Sequence, residues 1–256
     1  MPQEQGRGRL IAFRVVAVIA GVLHALPIVF LIISLLSVKE RIHVIHNTAG
    51  FAVFAAVVAL GWILAAVSPE RMIGPFQAAT LAVLAVAVAS AISKDLQGGL
   101  ITVALAAVLV ALHPARPSLV RMGRTAPAPL ALAVLAAAPA VGFVLSNATL
   151  QRGGAPTDPH IEMHHWTGMA AFALTMPLAA IIAGLGGRNR RIVALSAGMS
   201  AALFGIISLS YSGYPGAVST PWAIACVVWG VALGGDGYRM GHEPGSGAAT
   251  ASAEPA

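Results

Sequence analysis

The sequence predicts an all-α membrane protein, a bundle of about eight transmembrane helices. Of its 256 residues, 58% are hydrophobic and only 9% are charged, whereas about a quarter of the residues of a soluble domain are charged. The apolar residues also form long runs, and most of the basic residues lie in the short segments between them. Lipid must therefore be the outer solvent, and the net charge of +6 indicates membrane orientation rather than nucleic-acid binding.

A helix needs about 20 apolar residues to cross the hydrocarbon core of a bilayer. The first run is roughly twice as long as the apolar core of a secretory signal, so we expect it to remain as an uncleaved first span. The fourth, fifth and eighth runs are the shortest. The eight candidate spans are Leu10–Leu36, Val44–Val67, Pro75–Ser93, Gly98–His113, Leu130–Leu145, Pro159–Leu185, Ile192–Leu209 and Thr220–Gly234.

Residues typical of helix ends support these boundaries. Ser37 and Glu40 have the spacing of a capping box before the second span. Asp158 followed by Pro159 predicts the N-cap and first residue of the sixth. Prolines inside a span are expected to kink it. Three occur, Pro27, Pro139 and Pro177.

The distribution of arginine and lysine predicts a cell-membrane protein with both termini in the cytoplasm. With eight crossings and an inside N-terminus, the inside residues are Arg7, Arg9, Arg71, Arg116, Arg121, Arg124, Arg188, Arg190, Arg191 and Arg239. Those outside are Lys39, Arg41, Lys94 and Arg152. This asymmetry is what the positive-inside rule requires. The Gly-, Ala- and Ser-rich tail, 241–256, is expected to be disordered and cytoplasmic.

A weak internal similarity predicts two four-helix halves, 1–125 and 126–240. The segments Ile45–Ala49 and His164–Gly168 both open a long span at its outer end, and each is followed by a Phe–Ala pair. Because each half would contain an even number of helices, the halves would be parallel repeats related by an axis along the membrane normal. His46 and His165 would then lie at equal depth on equivalent helices.

Five of the eight histidines fall at the predicted outer face, together with three carboxylates. His43 and His46 have i, i+3 spacing, and His160 and His164 have i, i+4 spacing, so each pair is expected on one face of a helix. His164 and His165 are about 100° apart on a helix, so at least one of them points away from a common site. The complete group is His43, His46, His160, His164, His165, Glu40, Asp158 and Glu162.

Imidazole and carboxylate groups at such spacing indicate two kinds of chemistry. The five histidines are candidate ligands of Zn, Fe or Cu, with His46 and His165 facing a shared cavity. Without a metal, His46, His165 and Glu162 are candidate acid and base groups for a small molecule arriving from the outer leaflet or periplasm. Asp158 is expected to be occupied as an N-cap. The alternative is that all of these side chains are simply solvated at the interface.

Other polar and aromatic residues have simpler interpretations. His24 lies at membrane depth, which indicates a functional role or a neutral imidazole bonded to the backbone freed by Pro27. His113 is expected at the inner interface. Nothing in the sequence indicates a phosphate loop, a serine nucleophile, a zinc-protease helix or a nucleic-acid surface. Four aromatic residues fit an outer interfacial belt, Trp166, Tyr211, Tyr214 and Trp222.

The second half, about 150–235, resembles a family of prokaryotic multi-span membrane proteins called domain of unknown function 998. The resemblance rests on Pro156–Pro159, His164–His165, Phe172, Pro177–Ala179 and the basic ending at Arg188, Arg190 and Arg191. The aromatic residue usual before the loop is Ala155 here. This resemblance implies a membrane helical fold and no particular activity.

The chain also resembles haem A synthase in architecture, with eight helices in two halves and histidines at helix ends. His46 and His165 match positions on its second and sixth helices. The eighth span has no histidine, His113 lies at the opposite end of the fourth, and Glu40 alone matches a pair of glutamates. The resemblance implies a haem-binding redox protein, although a metal ion fits these residues better than haem.

Three classes of function follow from these observations. The first is an outer-face binding or catalytic protein, the second a small-molecule permease, and the third an accessory subunit without chemistry. A permease should carry ionisable groups near the midplane, where only His24 qualifies. We therefore place the outer-face protein first, with membrane lipid and a lipophilic or periplasmic small molecule as its partners.

Cysteine labelling tests the predicted topology. In a Cys226→Ala background, Arg152→Cys should react with a membrane-impermeant maleimide added to intact cells, and Arg190→Cys should react only after permeabilisation. Labelling of both positions from the same side would exclude eight crossings in this arrangement.

Overall fold

The structure, a computed structural model, describes residues 2–155 and 157–240. Within these ranges every regular element is a helix, which confirms the all-α prediction. The tail predicted at 241–256 lies outside the described residues. The α-helices are α1 (Pro2–Ala25), α2 (Pro27–Leu36), α3 (Val44–Gly50), α4 (Leu60–Val67), α5 (Ile73–Ser93), α6 (Leu96–Leu112), α7 (Pro127–Gly153), α8 (Pro159–Glu162), α9 (His165–Leu185), α10 (Arg190–Ser210) and α11 (Thr220–Met240).

Six helical segments of the described chain are long and apolar enough to cross a membrane. They correspond to the first, second, third, fifth, sixth and seventh predicted spans. The fourth is the shorter apolar helix α6, of 17 residues, and the eighth is α11, whose final turns carry Asp236 and Arg239. The fifth is longer than the sequence suggested, because α7 extends over 27 residues.

The first two predicted spans are not uniform α-helices. The first is divided between α1 and α2 at Leu26, because Pro27 cannot donate a backbone hydrogen bond. The second begins with a 3-10 turn, Glu40–His43, and becomes a π-helix over Phe51–Ala59. The Ser37 hydroxyl accepts a 3.4 Å hydrogen bond from the Glu40 N–H, which is one half of the predicted capping box. By contrast, α7 and α9 continue past their internal prolines.

Two kinds of helix pair occur in the first part of the chain and again in the second. The first span packs against the second, through α1 with α4 and the π-helix, and the fifth packs against the sixth, through α7 and α9. In the same way, α5 packs against α6, and α10 packs against α11. The contact between α5 and α9 joins the first part of the chain to the second. The duplication into 1–125 and 126–240 stays a prediction, and this pairing is compatible with it.

Glycines bring α10 and α11 into backbone contact. A Cβ placed on Gly230 would lie 2.4 Å from the Gly198 carbonyl oxygen and 2.5 Å from the Ala202 nitrogen. A Cβ on Gly198 would lie 2.6 Å from the Gly230 oxygen. Close approach through small residues is the usual way in which membrane helices associate. A side chain at Gly198 or Gly230 would clash with the backbone of the facing helix, so both positions require glycine.

Two histidines predicted to be functional or interfacial have structural roles. The His24 imidazole donates to the Ala20 carbonyl, at 2.8 Å, so it bonds one turn back rather than to the carbonyl freed by Pro27. His113 is fully buried, which corrects the interfacial prediction. The reason is that Phe13 and Phe76 cover its ring, with centroids 4.8 and 4.6 Å away.

The Arg9 side chain caps the C-terminal end of α6, beside His113. Its guanidinium donates to the carbonyls of Leu112 and His113, at 3.1 and 2.6 Å. Arg9 therefore satisfies carbonyl groups that the C-terminal end of α6 leaves without a partner inside the helix.

Replacement of Gly230 by alanine tests the contact between α10 and α11. We expect Gly230→Ala to lower the free energy of unfolding by about 1–3 kcal/mol, because the new methyl group meets backbone atoms. Thermal unfolding in detergent measures the change. Gly142→Ala is the matched control, since no atom lies within 4 Å of its Cβ position; equal losses in both variants would contradict the close contact.

A second variant tests the burial of His113. His113→Gln keeps an acceptor for the Ala115 N–H but loses the ring contacts with Phe13 and Phe76. We expect the free energy of unfolding to fall by about 1–3 kcal/mol, because a buried aromatic contact is lost. Thermal unfolding in detergent measures the change, and an unchanged stability would show that the ring is not packed in the folded protein.

Candidate functional site

Four histidines from two distant parts of the chain meet at one end of the bundle. His43 and His46 come from the start of the second span, and His160 and His165 from the start of the sixth. The ring centroid of His43 lies 5.0 Å from that of His160 and 4.8 Å from that of His165. The ring centroid of His46 lies 4.9 Å from that of His160 and 4.9 Å from that of His165. We call this group the histidine cluster.

The local backbone explains how His160 and His165 come to face one another. The sequence predicted one helix from Pro159 to Leu185, but the structure ends α8 at Glu162 and begins α9 at His165. Between them His164 adopts a left-handed conformation, with φ +56°. The expectation that His160 and His164 share a helix face is therefore wrong, because no continuous helix joins these residues.

The break directs His164 away from the histidine cluster. Its Nδ1 lies 2.8 Å from the Asp95 carboxylate, and the side chain of His164 is 53% exposed. The Thr167 hydroxyl donates to the same carboxylate, at 3.1 Å. Glu162 is exposed. Of the predicted site residues, His164 and Glu162 thus lie outside the cluster, while Glu40 is partly buried near His43.

Asp158 is the predicted N-cap, and it also orients His160. Its Oδ1 accepts the backbone N–H of His160 at 2.9 Å and the Nδ1–H of the same residue at 3.0 Å. These hydrogen bonds lower the pKa of the Asp158 carboxyl below its ordinary value. Because the ionised carboxylate only accepts, the Nδ1 of His160 is the donor in this pair, and its Nε2 has no hydrogen-bond partner among the described residues.

Several imidazole nitrogens of the cluster are buried without hydrogen-bond partners among the described residues. They are both ring nitrogens of His46 and the Nε2 of His160. The Nδ1 atoms of His43 and His165 do have a partner, because they are hydrogen-bonded to one another at 3.3 Å. A buried polar atom without a partner is costly, so the cluster has an unused capacity to bind.

Three cluster members have the arrangement of metal ligands. One nitrogen from each of His43, His160 and His165 can be chosen so that all three lie within 4.8 Å of one another. His43 and His160 are buried and His165 is partly buried. His46 is adjacent, but its ring stacks on that of His165 at 15°. In-plane lone pairs of stacked rings do not converge, so this geometry favours His43 over His46 as the partner of His165.

Two more residues complete the walls of the histidine cluster. Trp166 contacts His46 edge-on, with centroids 4.7 Å apart, so it lies beside the cluster rather than solely in the predicted aromatic belt. Gly216, in the loop after α10, has φ +84°, and a Cβ there would lie 2.9 Å from His46 Nε2. Only glycine satisfies both the backbone conformation and the available space.

Sequence reasoning missed Asp95, Trp166 and Gly216 as neighbours of the site. Asp95 lies in the loop between α5 and α6, and Gly216 in the loop between α10 and α11. The positions of these loops depend on how the four helices pack, which the spacing of residues along the sequence does not predict. The pair His164–Asp95 joins the start of the sixth span to the loop between the third and fourth. The adjacent charged residues Lys94 and Asp95, just beyond the predicted outer end of the third span, were the only signal for Asp95.

No family model, curated protein or solved structure matches this chain. The resemblances to domain of unknown function 998 and to haem A synthase therefore stay expectations from sequence.

Proposed function

We propose that the protein is a membrane metal protein that binds one divalent transition-metal ion in the histidine cluster. His43, His160 and His165 are the proposed ligands. The observation that carries the proposal is the 3.3 Å separation of the His43 and His165 Nδ1 atoms. Two nitrogens that bind the same tetrahedral zinc at 2.0–2.1 Å lie about 3.3 Å apart.

The surroundings of His160 also support a metal. Metal-bound histidines usually donate their second ring nitrogen to a carboxylate or carbonyl, which fixes the tautomer and orientation of the ring. Asp158 accepts the Nδ1–H of His160 in this manner and leaves the unpartnered Nε2 in the cluster. A set of three imidazoles suits Zn²⁺, Cu²⁺ or Fe²⁺ and leaves a coordination position for water or a substrate.

When bound, such an ion would supply Lewis acidity and a more acidic water. The chain's own residues would exclude bulk solvent from the ion, through Trp166 and the Gly216 loop. We place the cluster at the outer membrane face on the basis of the charge asymmetry, with both termini in the cytoplasm.

A haem is a weaker fit to the cluster. Two axial imidazoles approach a haem iron from opposite faces of the porphyrin, whereas His46 and His165 stack against one another with centroids 4.9 Å apart. This arrangement leaves no gap for a macrocycle between them. A permease is also less well supported. It should carry ionisable groups near the midplane that are available to a substrate, and the imidazole of His24 is already hydrogen-bonded to the Ala20 carbonyl.

A second candidate function is acid–base chemistry on a lipophilic molecule. An apolar crevice of about 530 Å³ lies between α7, α9, α10 and α11, and Phe172 and Pro177 line it. Phe172 is seven residues beyond His165 on α9, about 10 Å along the helix axis. A lipophilic substrate in the crevice would be within reach of the cluster without any metal.

Metal titration tests the first proposal and separates it from the second. Purified protein should bind one Zn²⁺ per chain in equilibrium dialysis at pH 7.5, measured by elemental mass spectrometry. His43→Asn, His160→Asn and His165→Asn should each weaken binding at least about tenfold, since each removes a ligand. Binding by the unaltered protein should also weaken in acid, because protons compete with the metal for the imidazole nitrogens.

The matched control for the metal titration is His164→Asn. It removes an imidazole from the same segment, but from outside the cluster, and asparagine tolerates the left-handed conformation at this position. Its affinity should equal that of the unaltered protein. Absence of stoichiometric metal, or an equal loss of affinity in His164→Asn, would exclude the metal site.

A further inference from the structure

A basic groove lies at the end of the bundle opposite the histidine cluster. It has a volume of about 970 Å³ and is formed by the loops α4–α5, α6–α7 and α9–α10. Glu70 is the acidic residue among those that line it. The arginines that line it are Arg71, Arg121, Arg124, Arg188, Arg190 and Arg191. In the described ranges, no carboxylate forms an ion pair with five of them: Arg71, Arg121, Arg124, Arg188 and Arg191.

Hydrogen bonds between the three loops hold the walls of the groove. Gln77 donates to the Leu119 carbonyl and accepts the Gly187 N–H, both at 2.8 Å. Asn189 donates to the Arg71 carbonyl, at 2.9 Å. The N–H of Gly123 bonds to the Leu185 carbonyl, at 2.9 Å. The backbones that carry the arginines are therefore fixed relative to one another before any ligand arrives.

The apolar residues beside the groove indicate the kind of ligand. Val120 is 84% exposed and Met122 is 75% exposed, and the two flank Arg121 in the α6–α7 loop. Guanidinium groups bind phosphate oxygens in pairs of hydrogen bonds, and exposed apolar side chains at a bilayer surface contact acyl chains. A ligand that satisfies both features carries phosphate and hydrocarbon together.

We propose that this groove binds the phosphate headgroup of an anionic phospholipid. Arg121, Arg124 and Arg188 contact the phosphate oxygens, and Val120 and Met122 contact the upper part of the acyl chains. Basic pockets between membrane helices are known to accept such headgroups. The groove is distinct from the histidine cluster, since the two lie at opposite ends of α9, which is 21 residues or about 31 Å long.

Lipid binding to two triple variants tests the proposal. The groove variant is Arg121→Gln, Arg124→Gln, Arg188→Gln; the control is Arg7→Gln, Arg116→Gln, Arg239→Gln, which removes the same charge from the same predicted side but outside the groove. Native mass spectrometry of detergent-solubilised protein measures the dissociation constant for phosphatidylglycerol, with phosphatidylcholine as the neutral lipid. With about 1 kcal/mol for each basic residue, affinity should fall about a hundredfold in the groove variant and little in the control.

A second arm separates lipid from soluble phosphate. Glycerol phosphate, which has the headgroup without acyl chains, should bind the unaltered protein far more weakly than phosphatidylglycerol does. An equal loss of affinity in both triple variants would show that the arginines act only as a diffuse positive surface. Binding of glycerol phosphate as tightly as the lipid would also overturn the proposal.

Discussion

The hydrocarbon core of a bilayer cannot form hydrogen bonds, and the rest of the structure depends on this constraint. Each backbone N–H and C=O group at membrane depth needs a partner inside the protein, so non-helical turns are favoured at the ends of the spans. Within the spans, the backbone departs from the α-helix only locally, at Leu26 and in the π-helix at Phe51–Ala59. Both irregular elements that form the histidine cluster have this position, the 3-10 turn at Glu40–His43 and the break between α8 and α9. A polar site assembled from such turns must lie at a membrane face.

The break at His164 decides which side chains form the cluster. In a continuous helix His165 would point about 100° away from His164, and His160 would share a face with His164 instead of meeting His165. The left-handed residue reverses this assignment: His160 and His165 face His43, and His164 turns towards Asp95. One unusual φ angle in a non-glycine residue, which costs free energy, therefore separates two adjacent histidines into two different environments.

The structural features that could be predicted from the sequence are those that composition and neighbouring residues determine. The apolar runs predicted where the helices lie, although α1 and α7 extend beyond the predicted bounds. Asp158 with Pro159 predicted the start of α8. These features depend on neighbours along the chain. The convergence of His43, His46, His160 and His165 was anticipated from their predicted depth. The helix break, the π-helix at Phe51–Ala59 and the burial of His113 were not, because each depends on contacts between helices distant in sequence.

The two proposed sites, the histidine cluster and the basic groove, would bind ligands of opposite charge at opposite ends of the same bundle. The cluster collects imidazole nitrogens, with Asp158 as the directly bonded carboxylate, and this donor set favours a cation. The groove collects guanidinium groups and favours an anion. Their separation, about 31 Å along α9, is several times the Debye length of about 8–10 Å at physiological ionic strength. Direct electrostatic coupling through the aqueous phase is therefore negligible, and any coupling between the two sites would have to pass through the packed helices, through α9 and its contacts with α5 and α7.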